Sequence, residues 1–186
     1  MVPFQYSVAQ VKRPTRWAHV AAILLFGALV VGVADPAFAQ RTSRGAVVVL
    51  EVRGVIDPVV AQYVEQGIDV ANNADAGLVI IQLDTPGGLD TAMRHIVQAI
   101  LNSDVPVAVF VTPSGARAAS AGVFITVAAH VAAMAPGTNI GAAHPVDLSQ
   151  SEMSATMEDK VTNDAAAYIQ AIAQERGRNA EWAREA

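Results

Sequence analysis

The sequence predicts an α/β fold with a parallel sheet, and three observations predict it. Ala46–Val52 (AVVVLEV), Gly77–Leu83 (GLVIIQL) and Val105–Val111 are apolar runs of strand length, the first rich in β-branched residues. Between them lie two stretches whose apolar residues recur on one helical face. Strand, helix and second strand together make a βαβ unit, whose strands lie parallel.

In chain order, Lys12, Arg13 and Arg16 precede a run from Trp17 to Ala34 without acid, lysine or arginine, and Ala37-Phe38-Ala39 then supplies small residues at signal-peptidase spacing. Residues 1–39 therefore read as a cleaved secretory signal, with an uncleaved membrane anchor as the alternative. Residues 40–186 make one domain of ordinary size, which the 53% hydrophobic content and mean hydropathy of +0.36 supply with ample core. Without Lys12, Arg13, Arg16 and Asp35, nine basic and sixteen acidic residues leave a formal net charge of −7. Nucleic acid is not an expected partner of so acidic a chain. The lack of cysteine excludes a disulfide framework, a thiol nucleophile and a cysteine zinc site.

After a short polar tether, the first strand breaks at Gly54. Asp57-Pro58 reads as N-cap and first helical residue, and Val60, Val64, Gly67, Ile68 and Ala71 mark a helix ending around Asn72-Asn73. The nearly continuous apolar run Gly77–Leu83 is expected of a strand covered on both faces. Asp84-Thr85-Pro86-Gly87-Gly88 leads into a helix with Leu89, Ala92, Met93, Ile96, Val97 and Ile100 on one stripe. Pro106 fits only near the start of the third strand.

Thr112 to Ala119 reads as a loop, Ser120 opens an apolar helix over Ala121–Val131, and Val131 to Ala135 forms a short strand before Pro136-Gly137. The apolar part, Ala121 to Ala135, falls short of the roughly 20 residues of a spanning helix and contains His130, so it reads as core. Asn139 to Gln150 reads as a loop. A helix with Val161, Ala165, Tyr168, Ile169 and Ile172 on one face stops at Gly177. Asn179 caps another that the chain leaves at Ala186, as expected of a domain interrupted before its end.

The chemistry-bearing residues cluster at strand-to-helix junctions. Ser120 lies where a helix presents N-terminal N–H groups, with Ala119, Ala121 and Gly122 giving a substrate backbone close access. A serine there is also an ordinary cap or packing residue. Gly87-Gly88 follows a parallel strand, where ligands of open α/β sheets bind, and its N–H groups can hold an anion; a tight turn is the alternative.

Lys160 is the only lysine besides Lys12, and arginine cannot shed its proton to act as a base. Near a helix start its ammonium is disfavoured, so it can accept a serine proton, although a solvated lysine in Glu158-Asp159-Lys160 is the plainer reading. His144, in the Gly/Pro loop, is the rival base. His95 and His130 read as structural, and no histidine spacing predicts a metal site.

Asp84-Thr85-Pro86-Gly87-Gly88, Ala119-Ser120-Ala121-Gly122-Val123 and Pro136-Gly137-Thr138-Asn139-Ile140-Gly141, in this order and each in its strand or helix setting, resemble the ClpP/crotonase-like fold of repeated ββα-type units. More narrowly, the chain from about Ala46 onward resembles the NfeD family of membrane-associated, ClpP-class serine proteases. The resemblance implies Ser120 as nucleophile, Lys160 as general base, and the N–H groups of Gly88 and Ala121 as oxyanion hole. In the cylindrical ClpP peptidases the base is a histidine of the loop that holds His144 here, which leaves His144 as the alternative.

The resemblance further implies an exported, periplasmic or extracytoplasmic endopeptidase without cofactor or metal, acting on hydrophobic peptide segments. A stomatin-like membrane protein is the implied partner, with homo-oligomers, and with membrane attachment where C-terminal spans follow. A non-catalytic assembly module of the same fold and an acyl-CoA enzyme of the crotonase type are the competing readings.

Overall fold

The computed structural model describes residues 45–143 and 155–186. The signal expected over 1–39 and His144 lie outside them. The described residues belong to one compact unit, Thr42–Ala186.

Strands β1 (Val47–Arg53), β2 (Leu78–Asp84), β3 (Val107–Val111) and β5 (Val131–Met134) form a wholly parallel sheet in the order β1-β2-β3-β5. Helix α1 (Pro58–Asn73) joins β1 to β2, and α2 (Asp90–Leu101) joins β2 to β3. The N-cap of α1 is as expected: the Asp57 carboxylate accepts the Val60 N–H at 2.8 Å, and Pro58 occupies the first turn. Its buried stripe, Ala61, Val64, Ile68 and Ala71, packs on the sheet and on α2. Leu89 departs from the predicted α2 stripe: it is the N-cap residue, with 47% of its surface exposed.

The parallel crossovers put α1 and α2 on one face, because right-handed connections between successive neighbouring strands all fall on the same side. Val79, Ile81 and Leu83 face these helices and are buried, whereas the alternate residues Leu78, Ile80, Gln82 and Asp84 are half-buried. The expectation that β2 is covered on both faces is corrected accordingly.

Two short strands lie inside stretches read as loops. β4 (Arg117–Ala119) and β6 (Asn139–Gly141) pair in parallel as a second, two-stranded sheet. A bridge from Thr85 to Ala118 ties it to the end of β2. Between β4 and β5 runs α3 (Ala121–Ala128), all eight of whose residues are buried. It ends three residues before the predicted Val131, because the N–H of His130 turns back to the carbonyl of Val107 at 2.9 Å and starts β5. Helices α4 (Ala155–Glu175) and α5 (Ala180–Glu185) complete the described chain, with Asn179 accepting the N–H groups of Glu181 and Trp182 as the predicted cap. Among the described residues no helix is long and apolar enough to cross a membrane.

Candidate active site

Ser120 occupies the single-residue corner between β4 and α3, with φ 50° and ψ −116°. A residue bearing a Cβ is strained there by about 1–3 kcal/mol. The corner is held from both sides: the Ser120 N–H donates to the Gly141 carbonyl at 3.2 Å, and the Ser120 carbonyl accepts the Val123 N–H at 2.9 Å. Its side chain makes no capping hydrogen bond, so the ordinary N-cap reading does not describe it.

The Gly87-Gly88 turn presses against this corner. Gly87 has φ +118°, and a Cβ on it would stand 2.7 Å from the Ser120 Cβ and 3.1 Å from its Oγ. Only glycine accepts both the backbone angle and the approach. Buried Thr85 fixes the turn, its hydroxyl accepting the Gly87 N–H at 3.0 Å and donating to the Gly87 carbonyl at 3.2 Å.

Gly88 is held against buried Ile56 by two bonds that bracket it, Ile56 N–H to Gly87 carbonyl at 2.9 Å and Leu89 N–H to Ile56 carbonyl at 2.8 Å. In such a parallel bridge the bracketed residue directs its own N–H away from the partner strand. That leaves the Gly88 N–H outside the Ile56 pairing. Ala121, buried at the first position of α3, carries one of the first-turn N–H groups that have no acceptor within the helix. A hydroxyl uncommitted to capping, beside a glycine turn and a helix N-terminus, is an arrangement suited to acyl transfer.

The far end of α3 is anchored by residues that the sequence reading did not single out. Arg176 Nε donates to the Ala128 carbonyl at 2.7 Å, and Arg178 Nη1 to those of Val127 and Ala129 at 2.7 and 2.8 Å. They occupy carbonyls that a helix end leaves open and set positive charge at the negative end of its dipole. At the near end, Gly122 lacks a Cβ that would otherwise stand 2.6 Å from the Thr85 methyl, which lets α3 settle onto the turn.

Lys160 lies exposed on α4. Among the described residues no hydrogen bond joins it to Ser120. The course of α4 is nevertheless informative: Tyr168 stacks on Phe124, with centroids 6.0 Å apart, while Arg176, just past the helix, reaches Ala128. Phe124 precedes Ala128 as Tyr168 precedes Arg176, so the two helices run in the same sense. The turns before Tyr168, Lys160 among them, extend toward the Ser120 end of α3. A small cavity of about 50 Å³ opens beside Phe124, lined mainly by Ala143, Ala165, Ile169 and Ala183.

The other histidines have structural employment. His130 Nδ1 accepts the Val107 N–H at 3.1 Å, and burial, with Arg176 and Arg178 nearby, holds its pKa below the usual range. His95 Nδ1 meets Glu65 at 3.0 Å. Among the described residues no cluster of three His, Asp or Glu could hold a metal ion. Thr85 was discoverable from sequence, since a threonine two residues before a glycine favours a side-chain turn. Gly141, which meets Ser120 only through tertiary pairing, was not.

Comparison with known proteins adds the following. The profile of the family described as NfeD1b, N-terminal domain, matches residues 46–186. The membrane-bound protease PH1510 of Pyrococcus horikoshii is 42% identical over 165 residues, covering 88% of this chain and 36% of its own length. The chain thus spans about a third of that curated relative. Two solved structures of the 1510-N membrane-bound stomatin-specific protease superpose with a TM-score of 0.70. One is a serine-to-alanine mutant (41% identity, 77% of this chain and 70% of that one), the other a lysine-to-alanine mutant in complex with a substrate peptide (42%, 76% and 65%). ClpP1 from Listeria monocytogenes, at 21% identity and TM-score 0.58 over 74% of this chain and 77% of its own, shares the fold.

Proposed function

Because this chain belongs to the NfeD1b N-terminal-domain family, we propose that it is a serine endopeptidase in which Ser120 is the nucleophile and Lys160 the general base. The observation that carries the reading is the strained corner at Ser120, which turns a side chain uncommitted to capping toward the Gly87-Gly88 turn. Ser120 Oγ attacks the substrate carbonyl while neutral Lys160 Nζ takes its proton and later passes it to the leaving amine. The N–H groups of Gly88 and Ala121 hold the oxyanion, and water then releases the acyl group from Ser120.

The residue types agree with the serine and the lysine replaced in the 1510-N structures. The elements β3-β4-α3 and β5-β6-α4, each contributing one strand to the large sheet and one to the small, support the repeated ββα-type architecture. Hydrophobic segments of a stomatin-like membrane protein are the proposed substrate, on the stomatin specificity of 1510-N and the apolar cavity beside Phe124. Export by a cleaved signal over residues 1–39, a domain over 40–186, a periplasmic or extracytoplasmic location and homo-oligomers complete the proposal.

The test is fluorophosphonate labelling of the full chain, read by intact mass. One adduct is expected, lost in Ser120→Ala and Lys160→Ala and retained in His144→Ala. Loss in His144→Ala with retention in Lys160→Ala moves the base to the histidine. A folded chain that takes no adduct refutes the peptidase reading in favour of a non-catalytic assembly module or, if coenzyme A binds, an acyl-CoA enzyme.

A further inference from the structure

Arg94, a residue the catalytic scheme does not use, joins two of the segments on which that scheme depends and reaches a third through Tyr168. On α2 its Nε donates to Asp90 at 2.8 Å, and Asp90 lies two residues past Gly88. Its Nη2 donates to Asp164 of α4 at 2.5 Å, and its guanidinium lies 4.2 Å from the centroid of the Tyr168 ring. Tyr168 in turn stacks on Phe124, one turn along α3 from Ser120. Lys160, Asp164 and Tyr168 follow one another at intervals of four on α4 and so share a face.

We infer that Arg94 is a positioning residue for Lys160, holding its face of α4 against the start of α2 and occupying the Asp164 carboxylate that would otherwise pair with Lys160. The inference rests on the Ser120/Lys160 reading. A lysine and an aspartate four residues apart on a helix attract each other, and that pairing favours the ammonium over the neutral amine a base requires. The other charges around this face are Glu158 and Asp159 of α4, Asp90 of α2 and Arg184 of α5, which lines the cavity with Thr162. Glu158 and Asp159 stand two and one residues from Lys160, spacings that do not face one another on a helix. Asp164 alone has the pairing interval, and Arg94 engages it.

The experiment measures the rate of serine phosphonylation by a fluorophosphonate against pH for the full chain and for Arg94→Met, Asp164→Asn, the double variant and Lys160→Ala, each confirmed folded by circular dichroism. Arg94→Met is expected to slow phosphonylation about tenfold and to move the rising limb of the profile upward by about 0.3 pH unit. Adding Asp164→Asn should return the limb to its wild-type position. A uniform slowing with an unmoved limb, or a double variant whose limb stays displaced, overturns the inference and leaves Arg94 as a brace. If Arg94→Met does not fold, Arg94→Gln, which loses the charge but keeps a hydrogen-bonding side chain, supplies the same readout. Phosphonylation of Lys160→Ala at the wild-type rate instead overturns the Ser/Lys scheme; an inactive Lys160→Ala beside an unmoved Arg94→Met limb overturns the Arg94 inference alone.

Discussion

Replacing Gly88 by alanine tests the turn and its chemistry together. The added Cβ would stand 2.0 Å from the Ile56 carbonyl oxygen and 2.5 Å from the Ile56 nitrogen. An ordinary carbon-to-oxygen approach is about 3.3 Å, so the strands must part by about 1.3 Å. Both obstructing atoms are backbone of a fully buried residue and have no rotamer by which to yield. The two hydrogen bonds bracketing Gly88 then lengthen or break.

Each such bond is worth about 1 kcal/mol net, and each buried group left unpaired costs about 1–3 kcal/mol, so a loss of about 3–5 kcal/mol is expected. The same displacement moves the Gly88 N–H off its proposed oxyanion position, and loss of one such donor slows reaction by about 10²–10³-fold. Urea unfolding followed by circular dichroism reads the first effect, and the rate of phosphonylation by a fluorophosphonate without denaturant reads the second. Gly177→Ala is the control, since Gly177 has φ +63° with open space around it and carries strain without a clash. Gly88→Ala with wild-type stability refutes the packing argument. A destabilised but folded variant phosphonylated at the wild-type rate refutes the proposed oxyanion role of Gly88.

Two further outcomes follow from the anchoring of α3. Arg178→Ala strips the Val127 and Ala129 carbonyls of their charged donor and should lower stability by about 1–3 kcal/mol, seen as a lower thermal midpoint; an unchanged midpoint refutes the clamp. His130, whose folded pKa lies below its unfolded value near 6.5, binds its proton more readily in the unfolded chain. Stability should therefore be full above about pH 6.5 and decline as the pH falls toward the folded pKa, and His130→Gln should flatten that part of the curve of thermal midpoint against pH.

The large sheet was readable because its strands are continuous apolar runs and its helices carry stripes of period 3.6, local signals that survive without tertiary context. The small sheet was not. Arg117–Ala119 and Asn139–Gly141 are three residues each, too short for alternation, and exist because β4 can pair at once with Thr85 and with β6. Ser120 stood out as a strand-to-helix junction, but its positive φ depends on the Gly141 carbonyl that holds its N–H. The far end of α3 was overextended for a related reason: the apolar run continues through Ala129, yet His130 is drawn back to β3. Arg94 escaped notice because the groups it joins lie on two separate helices, α2 and α4, and periodicity on one helix carries no information about the other.

The corner at Ser120 also sets stability against chemistry. Its backbone angles suit a residue without a side chain, so the fold would rest more comfortably with the proposed nucleophile deleted outright. Ser120→Gly should raise the unfolding free energy by about 1 kcal/mol, an increase Ser120→Ala cannot match because alanine keeps the offending Cβ. Selection for robustness alone would drift toward glycine at this position. A serine there amounts to a standing levy on the fold, which the proposed chemistry of its hydroxyl would account for.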